Sequence, residues 1–254
     1  MGRPLRRMLG LVVAAAITAS VAGAPVAVAE KQTETIVSEQ RTSISLRVTL
    51  EAAQSLLPAG WTATAPNLSL TFMDRKLALT PDGKPLFSGV NRVLVMSVSA
   101  KNAQTGETKG LIVGGYSADP AGVPGAYNVY SNGSIDLSRN ERIEGVSANV
   151  VTEQWTVKAA DGGTLNVNLS FTRGVPTLAP FELKIHSGAD PSFYRIYRGE
   201  QATDVLRSPN GGADRVQSIT VKASGGMLGR VIGDNAQVIS VSNSPYYNRK
   251  TFLP

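Results

Sequence analysis

The sequence predicts an all-β fold, rich in strands and carrying one or two short helices. Apolar and polar residues alternate with a period of two in eight segments, and turn-forming sequences lie between the segments. Alternation places one face of a strand against a core and the other in water, as in antiparallel sheets. Because the segments follow one another at short spacing without a helical period, a sandwich or a barrel is predicted.

The alternating segments and the turns occupy defined stretches of the chain. The segments are 43–48, 92–99, 153–158, 164–171, 182–186, 193–198, 216–222 and 236–241. The turns, rich in Gly, Pro, Asn and Asp, lie at 81–83, 161–163, 209–212 and 225–226. A glycine-rich stretch at 110–117 lacks the lysine of a phosphate-binding loop, so it is predicted to be a strand that passes close to another backbone.

One helix is predicted between residues 49 and 58. Thr49 suits an N-cap, Glu51 lies in the first turn where it interacts favourably with the helix dipole, and Pro58 ends the helix. The apolar residues Leu50, Ala53, Leu56 and Leu57 form one face. This face is expected to pack on the sheet.

Residues 1–29 are predicted to be a secretory signal peptide. Three arginines precede an apolar run at 9–24, and Ala27-Val28-Ala29 gives a small-residue cleavage site. The alternative is a retained membrane anchor, but the run is shorter than the about 20 residues that span a bilayer. Cleavage after Ala29 predicts a protein that is secreted, periplasmic or in the cell envelope, without a stable membrane anchor.

The remaining chain is predicted to form a single domain at 43–254, preceded by a polar, mobile lead-in at 30–42. Of the 25 basic and 19 acidic residues of the whole chain, three arginines belong to the signal peptide, so the mature chain has a net charge of +3. This small excess, without a lysine and arginine cluster, argues against a nucleic-acid partner. The absence of cysteine excludes disulfides, thiol catalysis and thiolate metal sites.

Few residues suit a metal site or a catalytic triad. His186 is the single histidine, which excludes the usual histidine-rich zinc sites, and a Gly-x-Ser-x-Gly elbow is missing. No cofactor and no metal are therefore expected. The segments 192–198 and 244–250 mix aromatic residues with cations, which suits either stacking on a base or sugar or a structural role in a core strand and the chain terminus.

The order of several motifs resembles the acetoacetate decarboxylase family. The sequences LLPAGW, ERIEG, DGGTLNVNLSFTRG, PFELKIHS and SGGMLGRVIG follow one another between residues 43 and 254. The resemblance implies a single-domain, curved antiparallel barrel of the β-cone type that encloses an apolar pocket. This agrees with the alternation of the strands.

The chain departs from this family where decarboxylating members carry two lysines. In those members one lysine forms an imine with the substrate ketone, and its partner lowers the lysine pKa. With Gly145 aligned to the motif glycine, the two lysine positions become Ala148 and Asn149, while Glu141 and Arg142 stand for the charged pair before the glycine. No Schiff base can form at either position, so decarboxylation by that route is not expected.

A second departure concerns a pocket glutamate of the family, which follows a tyrosine. The resemblance aligns the glutamate with Asn91 and the tyrosine with Gly89. An asparagine cannot supply the charge of a carboxylate. The pocket is therefore expected to persist without the decarboxylase machinery.

Two functions from different classes follow. The first is an exported, non-catalytic member that binds a small apolar or weakly acidic molecule in the barrel, with Arg142, Glu141, Asn149 and Asn91 as ligand-binding residues. The second is a lyase or hydrolase that acts through Glu141 or Glu144 with Arg142 as electrophilic support. A structural role at the cell envelope stays open, and family members assemble into oligomers, so a homo-oligomer stays open as well.

Overall fold

A computed structural model describes residues 31–87, 91–119, 127–144, 148–210, 212, 214–234 and 236–253. In these residues the chain forms strands and two short helices, α1 (Leu50–Gln54) and α2 (Gly226–Val231). The strands are β1 (Lys31–Arg47), β2 (Trp61–Ala63), β3 (Asn67–Leu79), β4 (Asn91–Asn102), β5 (Thr108–Ser117), β6 (Tyr130–Glu144), β7 (Ala148–Ala159), β8 (Thr164–Thr172), β9 (Thr177–Ser187), β10 (Tyr194–Arg207), β11 (Val216–Ser224) and β12 (Gln237–Leu253). The predicted signal peptide lies outside the described residues.

Seven strands close into a barrel. Their order is β5-β9-β10-β12-β1-β3-β4, and β4 pairs back to β5. All neighbours are antiparallel except β5 and β9, which are parallel and joined only through Leu111 with His186 and Ile112 with Ser187. The prediction of a mostly antiparallel barrel with short helices is thus confirmed.

The other large part of the fold is a four-stranded antiparallel sheet of β6, β7, β8 and β11. It continues from the barrel through a short parallel pairing of β5 with β6, at Gly115–Tyr130 to Ser117–Asn132. The glycine is required at this junction because a Cβ on Gly115 would collide with the carbonyl oxygen of Leu94. The prediction that 110–117 passes close to another backbone is confirmed.

The main hydrophobic core lies between this sheet and the outer face of the barrel. Leu70 and Phe72 of β3 point out of the barrel and are fully buried there. The ring of Phe72 packs on Trp155 of β7, with ring centroids 5.0 Å apart. The alternate residues of β3, among them Met73 and Arg75, point into the barrel and are buried as well. Both faces of β3 are therefore covered, whereas simple alternation predicts one face in water.

A polar cluster joins the sheet to the barrel beside this core. Arg139 of β6 donates from Nε to Glu153 of β7 at 2.9 Å and forms an ion pair with Asp74 of β3 at 3.5 Å. Thr42 of β1 donates to the second oxygen of Glu153 at 2.6 Å. Buried carboxylates need such partners, so the cluster fixes how the sheet sits on the barrel.

The predicted mobile lead-in at 30–42 is corrected by the structure, because residues 31–42 belong to β1. This strand pairs with β12 on one side, and from Ile36 onward with β3 on the other. Val37 is fully buried and Glu39 is 2% exposed. A segment that reads as polar is thus a central barrel strand.

The helices lie at the edge of the core. Thr49 caps α1 by accepting a hydrogen bond from the Ala52 amide at 3.1 Å, as predicted. The second helix, α2, starts at the glycine pair after β11, and the Asp161 carboxylate accepts from the Met227 amide at 2.8 Å. In the described part of the chain, neither helix has the length or apolar character needed to cross a bilayer.

The position of the core predicts a contrast between two leucine substitutions. Leu70→Ala removes a fully buried side chain between barrel and sheet and should lower the free energy of unfolding by about 2–5 kcal/mol. Leu178→Ala removes a side chain that is 62% exposed on β9 and should change it by less than about 0.5 kcal/mol. Urea denaturation of both variants measures the difference, and equal effects would contradict this placement of the core.

Candidate functional site

The barrel encloses a cavity of about 170 Å³. Its polar lining consists mainly of three arginines and three tyrosines, namely Arg41, Arg75, Arg249, Tyr130, Tyr197 and Tyr247. Apolar and small residues supply the rest of the wall. The cavity therefore combines an apolar surface with a concentrated positive charge.

The three arginines converge because they come from three adjacent strands. Strand β1 lies between β3 and β12, and each contributes one arginine to the inner face. In the register of these strands, Glu39 lies opposite Arg75 on β3 and opposite Tyr247 on β12. Arg41 follows Glu39 by two residues and so lies on the same face of β1.

Glu39 holds two of these arginines. Its Oε1 accepts a hydrogen bond from Arg41 Nε, and its Oε2 accepts one from Arg75 Nε at 3.1 Å. Burial alone would raise the pKa of the Glu39 carboxyl, but the charges of Arg41, Arg75 and Arg249 outweigh burial and lower the pKa to about 2. Glu39 is therefore ionised at neutral pH.

The site keeps an excess of positive charge. Among the described residues, the cavity arginines and their carboxylate partner comprise three guanidinium groups and one carboxylate, which sum to +2. Arg75 is 2% exposed, and among the described residues its Nη1 has no hydrogen-bond partner. Burial lowers the pKa of Arg75, but an arginine keeps its proton in a protein. Because a buried donor without an acceptor costs about 1–3 kcal/mol, an acceptor in the cavity would be stabilising.

Aromatic rings orient the other two arginines. The Arg41 guanidinium lies 3.3 Å from the centroid of the Tyr247 ring, and that of Arg249 lies 4.3 Å from the Tyr197 ring. Arg41 also donates to Glu39, and Arg249 Nη1 donates to Thr251 Oγ1, so ring stacking and hydrogen bonds together fix the directions of both guanidinium groups.

Tyrosine hydroxyls lie in and beside the cavity. The hydroxyls of Tyr127 and Tyr197 are 2.7 Å apart. Burial raises the pKa of both Tyr127 and Tyr130, so these groups stay protonated. The cavity lining therefore includes neutral tyrosine hydroxyl groups as well as guanidinium charges.

Three of the predicted site residues lie away from the cavity. Glu141, Arg142 and Asn149 are at the end of the β6–β7 hairpin, which belongs to the four-stranded sheet, and none is among the described residues that line the cavity. The side chain of Arg142 is exposed on this sheet. Ligand binding by the three residues stays a prediction. The side chain of Glu144 lies outside the described residues, as do Gly145 and its neighbours 146 and 147.

Glu141 makes its own contacts at the hairpin. Its Oε1 accepts hydrogen bonds from Asn149 Nδ2 at 2.6 Å and from Arg173 Nε at 3.1 Å. The hydrogen bond from Asn149 and the charge of Arg173 lower the Glu141 pKa against a small effect of burial. Its side chain is 43% exposed, so the closed environment expected of a catalytic carboxylate is not formed here.

Asn91, the fourth predicted site residue, lies near the cavity but is not among the described residues that line it. It is on the inner face of β4 with Val93 and Val95, and Val95 lines the cavity. In the register of β3 and β4, Asn91 lies opposite Arg75. Its Oδ1 is buried without a hydrogen-bond partner in the described part of the chain. Gly89, the predicted counterpart of the family tyrosine, lies outside the described residues.

The arginine cluster was not predicted from the sequence. Glu39 and Arg41 lie in the segment taken as a lead-in, and Arg249 lies in the aromatic and cationic segment near the C-terminus. The signal was present as charged residues at alternate positions, Glu39 with Arg41 and Tyr247 with Arg249. Strand pairing is needed to show that these alternate positions face one cavity.

The single histidine has a structural environment. His186 Nδ1 lies 3.0 Å from the Pro191 carbonyl oxygen, and its ring packs 5.1 Å from the Tyr194 ring. Burial lowers its pKa. Within the described ranges, His, Asp and Glu side chains form no group of three that could hold a metal ion.

The fold is shared with solved structures of low sequence identity. No family model and no curated protein matches the chain. An acetoacetate decarboxylase-like enzyme from Sphingomonas wittichii RW1 matches with a TM-score of 0.54 and 12% identity, over 87% of this chain and 91% of that one. The enduracididine biosynthesis enzyme MppR complexed with pyruvate matches with a TM-score of 0.54 and 12% identity, over 89% and 91%. The chain therefore has the acetoacetate decarboxylase-like fold, as the sequence resemblance implies.

The buried charge of Glu39 predicts a pH-dependent effect of Glu39→Gln. Because the folded pKa is below its ordinary value of 4.5, the stabilisation by Glu39 is present above that pH and is lost as pH falls toward 2. The variant should be less stable than wild type by about 3 kcal/mol near pH 7, since it leaves buried arginines without a counter-charge.

Urea denaturation of wild type and variant across this pH range measures the difference in unfolding free energy. The difference should shrink as pH falls from 4.5 toward 2. Glu107→Gln is the control, because the Glu107 side chain is 57% exposed and should matter little. A difference in unfolding free energy that stays constant with pH would contradict the lowered pKa of Glu39.

Proposed function

We propose that the chain is an exported protein that binds a small carboxylic acid, as its anion, in the barrel cavity. Arg41, Arg75 and Arg249 form the anion site, and Glu39 positions the first two. The observation that carries the proposal is the buried net charge of +2 together with the partnerless Nη1 of Arg75 among the described residues. Export rests on the signal-like sequence at 1–29.

Charge favours an anion over a neutral ligand. A neutral molecule would displace water from the arginines without compensating their charge, which is unfavourable in a cavity of low dielectric. A carboxylate accepts two parallel N–H bonds from a guanidinium and gains charge-assisted hydrogen bonds. The positive cavity therefore selects carboxylates.

The size of the cavity favours a small head group. Its volume is about 170 Å³, and an apolar cavity of about 150 Å³ holds one benzene molecule. The structurally similar MppR was solved complexed with pyruvate, so pyruvate is a reasonable first probe. A cavity of this volume suits a small acid bound beside the arginines.

Binding without imine chemistry is the preferred form of the proposal. The resemblance aligns Ala148 and Asn149 with the lysines of the family, and no described residue of the cavity wall is a lysine. The internal segments 88–90, 120–126 and 145–147, which the description omits, contain no lysine in the sequence. The rival, a lyase or hydrolase acting through Glu141 or Glu144, gains no support at Glu141, because that carboxylate is exposed and bonded to Arg173. The side chain of Glu144 lies outside the described residues.

Removal of one arginine charge should weaken acid binding. Arg75→Gln and Arg249→Gln should each raise the Kd for pyruvate by about 10- to 100-fold, as expected for a lost hydrogen bond to a charged group. Arg198→Gln is the matched control, because Arg198 lies on the outer face of β10 and pairs with Glu182. Isothermal titration with pyruvate gives the values.

Two further measurements secure this prediction. The double substitution Glu39→Gln with Arg75→Gln removes one negative and one positive charge, so the net charge of the cluster is unchanged. It shows whether weaker binding results from unfolding or from the lost contact with the ligand. Pyruvamide, a neutral analogue of pyruvate, should not bind measurably. Equal binding of pyruvamide and pyruvate would show that charge does not select the ligand.

Imine formation should be absent. Borohydride treatment in the presence of acetoacetate should leave the intact mass of the mature protein unchanged, because the lysine positions of the family hold Ala148 and Asn149. A lysine-containing acetoacetate decarboxylase treated in parallel should gain the mass of the reduced adduct. An adduct on this chain, mapped to a lysine by peptide mass spectrometry, would show that another amine has taken over.

A further inference from the structure

The cavity has an opening beside β9. This strand pairs with β5 through only two residue pairs near its C-terminal end, Leu111 with His186 and Ile112 with Ser187. The part of β9 that precedes this contact is exposed on both faces between Thr177 and Pro180. Leu183 lines the cavity and is nevertheless 43% exposed. Solvent therefore reaches the cavity at this strand.

The wall on the β9 side of the opening is apolar. Ala179, Phe181 and Leu183 alternate along β9 and share its inner face. The Phe181 ring packs on the Tyr247 ring, with centroids 4.9 Å apart. The Arg41 guanidinium also stacks on the Tyr247 ring. A single ring thus separates the anion site from the apolar wall, which continues from it to solvent.

Gly110 keeps the opposite side of the opening clear. It lines the cavity on β5, on the same face as Ile112, and is itself exposed. A Cβ built on Gly110 meets no atom within 4 Å, so it would point into open space. A larger side chain here would therefore narrow the opening without a clash against the backbone.

We propose that the ligand is an amphiphilic carboxylate whose apolar tail leaves the cavity along Ala179, Phe181 and Leu183. The proposal rests on the carboxylate-binding function above and specifies its ligand class. The head group binds the arginines, and the tail covers apolar surface that is otherwise in contact with water. Leu183 and Gly110 then determine how long a chain is accepted.

A series of straight-chain acids tests the proposal. Acetate, butanoate, hexanoate and octanoate are titrated calorimetrically into the mature protein at constant pH and ionic strength. Affinity should rise by about two- to fourfold for each added methylene that reaches the wall. Gly110→Val and Leu183→Ser should both reduce this gain, and Gly110→Val should weaken octanoate by about tenfold more than butanoate.

Leu77→Ser is the matched control, because Leu77 is 41% exposed on β3 and does not line the cavity among the described residues. It should leave the dependence on chain length unchanged. Circular dichroism melting of each variant identifies any that fails to fold. For such a variant, Leu183→Ala replaces Leu183→Ser, and Gly110→Ala replaces Gly110→Val.

The outcomes separate this proposal from the proposed function. If no acid of any length binds, the carboxylate-binding function is wrong and the tail proposal falls with it. If short acids and pyruvate bind but chain length adds nothing, carboxylate binding stands and the tail proposal is overturned. If affinity still rises with chain length in both Gly110→Val and Leu183→Ser, the tail lies elsewhere and the tail proposal is overturned. If Leu183→Ser instead changes the oligomeric mass of the protein regardless of the acid used, the apolar wall of β9 contacts a second copy of the chain, which also overturns the tail proposal.

Discussion

The ionic contact of Glu39 with Arg41 and Arg75 is the constraint on which the interior of the barrel depends. Three guanidinium groups in a barrel of this size repel one another, and each loses part of its hydration. Glu39 offsets part of this repulsion and lost hydration. It lies on β1, the central one of the three strands that carry the arginines. Its position requires β1 to extend well before residue 43, so the charge cluster and the full length of β1 are linked.

The barrel tolerates a charged interior because its apolar core lies elsewhere. Phe72 and Leu70 face the four-stranded sheet, while the intervening Thr71 and Met73 face the cavity. The same strand therefore supplies stability on one face and the site on the other. Substitutions inside the cavity can change ligand preference without removing core packing. This separation explains how polar and apolar side chains can alternate on strands that are buried on both sides.

The sequence predicts the strands and the fold class better than the site. Alternation places at least part of eight strands, and Thr49 marks the helix cap, because these signals act over a few residues. Strands β2, β3 and β6 are not among the alternating segments. Asn91 is found on the inner face because its strand is strongly patterned. A linear motif does not say which sheet carries it, and Glu141 and Arg142 lie on the four-stranded sheet. Glu39 is not predicted as a site residue, because the polar segment that contains it is buried only through the pairing of β1 with β3 and β12.

The difference between a lysine site and this arginine site is chemical as well as positional. A lysine near a second cation loses its proton and becomes a nucleophile, whereas an arginine keeps its proton in the same field. A cavity with a net charge of +2 from arginines therefore stays positive across the physiological pH range. The field that lowers the Glu39 pKa would favour the ionised form of a weak acid placed in the same cavity. The described residues that line the cavity include no lysine, so an arginine site of this kind favours reversible binding over covalent attachment.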